Sequence, residues 1–327
     1  FGTRLRPLTL SAPKQMLPVN GMTMLERVIR NLAAGGVSEA VLALGYLPEV
    51  FQDEFPSGEI AGVKMHYAVE PEPLDTGGAI GFAARFAGFT DSTFIALNGD
   101  VINDLDIAGL VDKHRAFGGE GTIHLTPVED PSRFGVVPID ASGRVEAFIE
   151  KPPADEAPSN WINAGTYVLE PSVLDRMPEG EKVSIERAVF PAMVADGKLF
   201  AVQEDGYWVD AGTPQSYLQV ALDLTNGVRS NEAAVAADAS IDDSASVAGS
   251  IVGSGAVVEA GAVIEHSMIQ RGARIGANAR ITNSIVGPNA VVGSGVSLSE
   301  LTVVGDSVTV DADSSHVGAK LPDVPKE

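Results

Sequence analysis

Arg4, Arg6 and Lys14 lie in one run, G-T-R-L-R-P-L-T at residues 2–9 and P-K-Q-M-L-P-V at 13–19, with an opening glycine and three prolines, Pro7, Pro13 and Pro18. Cations and a glycine so placed suit a backbone that wraps closely round phosphate: glycine allows the approach, and arginine and lysine meet the charge. The prolines forbid a continuous helix. On composition alone the run fits an anion-binding loop and a polar surface loop equally well. Among 44 acidic residues, Asp100 closes L-N-G-D after an apolar stretch and Asp210 sits in W-V-D-A-G-T-P. Such carboxylates are hard ligands, and Mg2+ takes only one or two from a protein, completing its shell with phosphate and water. An isolated aspartate after a strand is, by itself, more often a helix N-cap or a turn former. The chain has no G-x-S-x-G elbow, no cysteine and no G-x-x-x-x-G-K-[ST] loop. That suits chemistry run on positioning and charge neutralisation rather than on a covalent nucleophile.

The first run resembles the signature loop of the sugar-1-phosphate nucleotidyltransferases, the NDP-sugar pyrophosphorylases, and the two aspartate motifs follow in the family's order. The resemblance implies an enzyme that joins an NTP to a hexose 1-phosphate and releases pyrophosphate, with Mg2+ as cofactor. It assigns Gly2, Thr3, Arg4 and Lys14 to the triphosphate and the reacting phosphates, and Asp100 and Asp210 to the metal, with Arg4, Lys14 and Asp100 as the catalytic set. Gly135 in F-G-V-V, Glu150 and Lys151 in E-K-P, and Asn163 in N-A-G resemble the sugar-binding positions; E-K-P alone is a common solvated pair. The stretch E-P-E-P-L-D-T-G-G, holding Glu70 and Gly77, lies where the family reads the base and resembles the P-L-G-T-A-G run of GDP-mannose pyrophosphorylases, with Asp75 in place of a glycine. A carboxylate at Glu70 can accept from guanine N1–H and the amino group, although a thymine N3–H would serve as well. GTP with mannose 1-phosphate is therefore expected, with thymidylyl or uridylyl transfer to glucose 1-phosphate as the alternative. Two readings of another class are a solenoid acyltransferase with His266 or His316 as base, and a non-catalytic regulatory subunit. Family members place a strand and Gly-Gly-x ahead of the position of Gly2. This sequence starts at Phe1, so a fragment of low stability and activity is expected.

The elements that must position these residues follow from patterning. With 327 residues, 45% of them hydrophobic, the chain is long enough for two domains. From residue 25 onward helical spacing alternates with apolar runs: helix after a capping box at Thr23 and Glu26, strand 40–44, helix 47–55, strand 63–69, helix 78–86, strand 93–97, helix 107–117, strand 122–128. The run 40–44 predicts a strand buried on both faces. The alternation predicts an α/β fold, a Rossmann-like open mixed sheet with ligands beyond the strands' carboxyl ends. Residues 133–168 read as an insertion covering that sheet, and helix 184–195, strand 199–202 and a helix through 224 close a first domain at 1–228. Beyond it, aliphatics recur from Val235 to Val310 in steps of six, with five after 247, 264 and 281. This predicts a hexapeptide β-helix over 229–313, left-handed by resemblance, then a loose polar tail at 314–327. Since no assigned residue lies beyond 214, the β-helix is expected to be separable from the chemistry. The formal charge of −22 opposes nucleic acid and anionic membranes. The absence of cysteine excludes disulfides, and neither a spanning segment nor a signal peptide is evident, so the cytoplasm is expected, with a homo-oligomer as the assembly.

Overall fold

The computed structural model describes residues 2–45 and 48–324; the expected helix start at residue 47 and the end of the expected tail lie outside them. By its contacts the chain divides into two compact units that do not follow chain order, Val28–Trp208 and Phe1–Arg27 with Val209–Glu327.

In the first unit most strands fall in two sheets. Glu39–Leu44 runs parallel to Val63–Val69, which also pairs with the short antiparallel strand Glu59–Ile60. A six-stranded mixed sheet is built round Trp161–Leu169, antiparallel to both Phe94–Leu97 and Gly121–Pro127, with Leu199–Gln203 parallel to the latter. The expected mixed α/β order is therefore present, but Glu39–Leu44 is only partly buried, against the expectation of burial on both faces. It stands at the edge of its sheet with a neighbour on one side. Central Gly121–Pro127, by contrast, is buried along nearly its whole length. The stretch expected to cover the sheet instead joins it: Gly135–Val136, Ile149–Glu150 and Trp161–Leu169 are all strands of the six-stranded sheet. Pairing into the edge satisfies backbone groups that a covering loop would leave open.

Two helices start at side-chain caps, whereas the helix expected from 78 starts at Asp75 with no side-chain cap. Thr23 Oγ1 accepts from Glu26 N at 3.1 Å, and Asp106 caps Ile107–Phe117 by accepting from Gly109 N at 3.0 Å. The helix expected at 184–195 opens as a π-turn, Ile185–Val189, before Phe190–Ala195. Ile123, Leu125, Tyr167, Leu169 and Phe190 centre the core of this unit. No helix among the described residues is long and apolar enough to cross a membrane.

The second unit carries a parallel β-solenoid of three five-stranded sheets. Ile241 pairs with Val258 and Val258 with Ile275, each one coil on, so every coil sets its aliphatics on those of the next. At one corner the buried hydroxyls Ser250, Ser267, Ser284 and Thr302 form a ladder. Ser267 Oγ donates to Glu265 O at 2.7 Å and accepts from Ser284 N at 3.0 Å, and the Ser250 and Thr302 hydroxyls accept in the same way from Ser267 N and Ala319 N of the coil that follows. The polar tail expected from 314 is instead a further coil: Ser315–Val317 and Lys320–Leu321 pair with Ser297–Ser299 and Val303–Val304. The period was hidden because His316 occupies the register of Leu298. An extra residue in the coil before it is absorbed by left-handed backbone at Glu300 and Leu301.

Removing one rung of the ladder leaves a buried N–H without an acceptor. Ser267→Ala should therefore destabilise the solenoid by about 1–3 kcal/mol in a denaturant titration, whereas loss of the exposed Ser244 hydroxyl should change it by less than about 0.5 kcal/mol.

Candidate active site

The cationic run is a succession of three 3-10 turns, Thr3–Leu5, Leu8–Leu10 and Lys14–Met16. Leu5, Leu8, Met16 and Leu17 are buried and anchor it, while Arg4 is exposed and Lys14 half-buried. Gly2 begins the run at φ 62°, with its carbonyl accepting from Leu5 N and from Thr9 Oγ1. A Cβ at Gly2 would stand 3.3 Å from Lys14 Cβ, so the glycine lets the two ends of the run close on each other. Thr3 O accepts from Arg6 N within the first turn.

In the same unit Asp210 ends the strand Trp208–Asp210, and Thr213 then caps the helix Pro214–Asp223 with Ser216 in a reciprocal capping box. Asp210 Oδ1 accepts from Gly212 N at 2.8 Å. A Cβ on Gly212 would come within 2.7 Å of both Arg4 Nη2 and Asp210 Oδ1. The guanidinium and the carboxylate therefore converge on one glycine. That places a cation suited to phosphate beside an acceptor that a metal ion could use.

The other unit gathers the expected sugar-side residues round one β-bulge. Trp161–Leu169 shifts register between Asn163 and Tyr167, where Gly165 takes φ 77°. Asn98 N donates to Gly165 O at 2.9 Å, and a Cβ on Gly165 would lie 2.5 Å from Asn98 Nδ2; the N-G-D and N-A-G motifs thus meet. Asp100, 7% exposed, follows directly. Asn163 Oδ1 accepts from Gly165 N, and its Nδ2 donates to Tyr167 Oη at 2.8 Å. Burial pushes the Tyr167 phenol well above its ordinary pKa, against the opposing effect of Asn163, and the Glu186 and Glu150 carboxylates push the same way as burial. Trp208 Nε1 donates to Ala164 O at 3.0 Å, and the Phe134 ring meets the Trp208 indole edge-on.

Gly135 pairs with Glu150 across two short antiparallel strands. A Cβ there would lie 2.6 Å from the Phe148 ring and 3.2 Å from Glu150 Oε2, so the glycine opens room for both. Lys151, at φ 52°, pairs with Glu150 Oε1 at 3.2 Å. Glu70 Oε2 accepts from Leu74 N at 3.0 Å. Gly77 lies in the first turn of the helix Asp75–Ala87. It is buried, its N–H donates to Val183 O at 2.8 Å, and a Cβ would stand 3.0 Å from that carbonyl. Asp75 adopts the left-handed φ of 63°, where the related run has glycine; aspartate is among the few residues that tolerate it. Sequence reasoning passed over Gly212, Gly165, Asn98 and Tyr167, although the first three stood inside motifs it had singled out.

Gly212→Ala is a direct probe of the convergence, because its methyl meets only the ends of two flexible side chains. The melting temperature should hold while affinity for inorganic triphosphate falls roughly tenfold, as read by calorimetry.

Residues 1–227 match the family described as Nucleotidyl transferase, and residues 229–321 match the GMPPB C-terminal domain. The chain is 44% identical over 235 residues to a mannose-1-phosphate guanylyltransferase of Mycobacterium tuberculosis, covering 71% of this chain and 64% of that one. It is 42% identical over 243 residues to a mannose-1-phosphate guanyltransferase of Schizosaccharomyces pombe, covering 73% and 66%. It thus spans less than two thirds of the length of these curated relatives. Among solved structures, HddC from Yersinia pseudotuberculosis superposes with a TM-score of 0.57 at 28% identity, over 67% of this chain and 92% of that one. A putative glucose-1-phosphate thymidylyltransferase from Bacillus anthracis gives 0.60 at 25%, over 67% and 89%. With the family match running through 227 of its 327 residues, the chain belongs to the nucleotidyl transferase family.

Proposed function

We propose that the protein condenses GTP with mannose 1-phosphate to give GDP-mannose and pyrophosphate. The observation that carries nucleotidyl transfer is the convergence of Arg4 and Asp210 on Gly212, below a run that also supplies Lys14. The choice of base and sugar rests on the names of relatives 40–44% identical. In the reaction a phosphate oxygen of the sugar 1-phosphate forms a bond to the α-phosphorus as the bond to the bridging oxygen breaks and pyrophosphate leaves.

Two anions must meet, so the barrier falls chiefly through charge neutralisation and alignment. Arg4 forks onto two phosphate oxygens, and Lys14 acts as a compact charge beside it. Asp210 fits a divalent cation, being a hard oxygen donor at the end of its strand that keeps Oδ2 clear of its bond to Gly212 N; Asp100, the residue before the strand Val101–Asn103, is the second carboxylate of this reading. Among the described residues no group of three or more His, Cys, Asp or Glu is placed to hold a metal, so a carboxylate ligand would share the ion with substrate phosphate. Mg2+, when bound there, would offset phosphate charge by several kcal/mol.

On the sugar side Glu150 accepts from ring hydroxyls, Gly135 offers its backbone, Asn163 holds the bulge, and Lys151 meets the 1-phosphate. Glu70 Oε1 receives the base N–H groups while Oε2 closes its own turn. Gly77 packs the helix start against Val183. Transfer of a thymidylyl group to glucose 1-phosphate is the second reading, favoured by the name of the Bacillus anthracis structure.

The test is pyrophosphate release over a matrix of each NTP with each hexose 1-phosphate. GTP with mannose 1-phosphate should lead, and a lead for dTTP with glucose 1-phosphate would select the second reading. Asp100→Asn and Asp210→Asn should each cost on the order of 100-fold or more in turnover at saturating Mg2+. Lys151→Ala should raise KM for the sugar phosphate roughly tenfold and leave that for the nucleotide within about twofold.

A further inference from the structure

The cationic run rests on one face of the solenoid. Ile251–Val252, Met268–Ile269, Ile285–Val286, Val303–Val304 and Lys320–Leu321 form one of its three sheets, and residues of this face or its margin reach the run at separate points. Gln270, next after Ile269, donates from Nε2 to Tyr217 Oη at 2.8 Å, and Tyr217 Oη donates to Pro18 O. Gly305, next after Val304, lies under Pro7: a Cβ there would stand 3.2 Å from Pro7 Cβ. Lys320 Nζ donates to Arg4 O at 3.2 Å. At the foot of the solenoid Glu232 receives Arg27 through both oxygens, at 2.8 and 2.7 Å, and also Asn20 Nδ2 at 2.9 Å, while Arg27 donates to Val19 O. Arg4, Pro7, Pro18 and Asn20 are thus all held by residues beyond 214.

The Tyr217 link has a direction. A phenol has one proton and two lone pairs; with Gln270 donating to the oxygen, the proton is left for Pro18 O. Tyr217 is fully buried and Gln270 nearly so, and burial pushes the phenol's pKa well up, so the hydroxyl stays neutral and keeps its proton. Pro18 opens the short strand that follows the Lys14–Met16 turn. Loss of the proton's direction would loosen that turn.

We infer that the solenoid is the support that fixes the cationic loop, and that Gln270 is a positioning residue for the reaction proposed above, acting through Tyr217 on Pro18. The solenoid is then not separable from the chemistry as the chain order alone suggested, since the loop lacks its underlay when the chain ends near Gly227.

The experiment compares the full chain with Gln270→Met, Tyr217→Phe and the double variant by hydrogen exchange and by steady-state kinetics. In Gln270→Met, amides at 14–20 should exchange about tenfold faster while those of the coil at 256–264 hold their protection; KM for GTP should rise about tenfold and KM for mannose 1-phosphate stay within about twofold. Tyr217→Phe added to Gln270→Met should bring little further change, because the two act on one path. Unchanged exchange at 14–20, or additive losses in the double variant, would overturn the inference. A rise in both KM values alike would assign Gln270 a general structural role instead. Should the wild-type chain release no pyrophosphate with any pair, the functional reading fails, and the exchange data alone still decide whether the solenoid holds the loop.

Discussion

The proposed reaction turns on the repulsion between two phosphates that must come within bonding distance. Two unit charges 4 Å apart repel by about 1 kcal/mol in water and about 4 kcal/mol at the effective dielectric of a protein surface, and each reactant carries more than one charge. The chain is itself strongly acidic, with 44 carboxylates against 22 cations. Its average field therefore opposes the substrates, and a few cations held in place must reverse it locally. This gives the buried anchors Leu5, Leu8 and Leu17 their purpose: they fix a backbone whose neighbouring side chain, Arg4, is left exposed. The same need explains why glycine stands at 2 and 212, where any Cβ would crowd Lys14, Arg4 or Asp210.

Much of the fold was legible because its signals are local. The Thr23 and Asp106 caps act within one helical turn, and the solenoid's stacking repeats one coil at a time, so both leave a periodic or positional mark in the sequence. Which strands pair leaves no such mark. The run at 40–44 reads the same whether it lies at a sheet's edge or centre, and the pieces at 135–136 and 149–150 are too short to show their partners. The final coil was missed for a chemical reason, since His316 takes an aliphatic's register and interrupts the pattern that defined the others.

The candidate site was legible as a set of motifs but not as an arrangement. Asn163 and Gly165 are neighbours in N-A-G, yet their arrangement depends on a bulge that turns Gly165 against Asn98, sixty-odd residues earlier in the chain. Gly77 stands in one local run of the sequence, whereas its N–H is held by Val183 from a distant segment. Division of the contacts was likewise invisible: the first 27 residues pack in one unit with residues 209–327, so the loop and the solenoid belong together despite lying at opposite ends of the chain.

The central claim is that these residues catalyse transfer by positioning and charge alone, with no nucleotidyl group carried on the protein. The stereochemical course at the α-phosphorus tests it most directly. Using GTP made chiral at that phosphorus with sulfur and an oxygen isotope, together with mannose 1-phosphate, a single in-line displacement predicts inversion of configuration in the product. Retention would mean two successive displacements through a covalent intermediate, and would contradict the account.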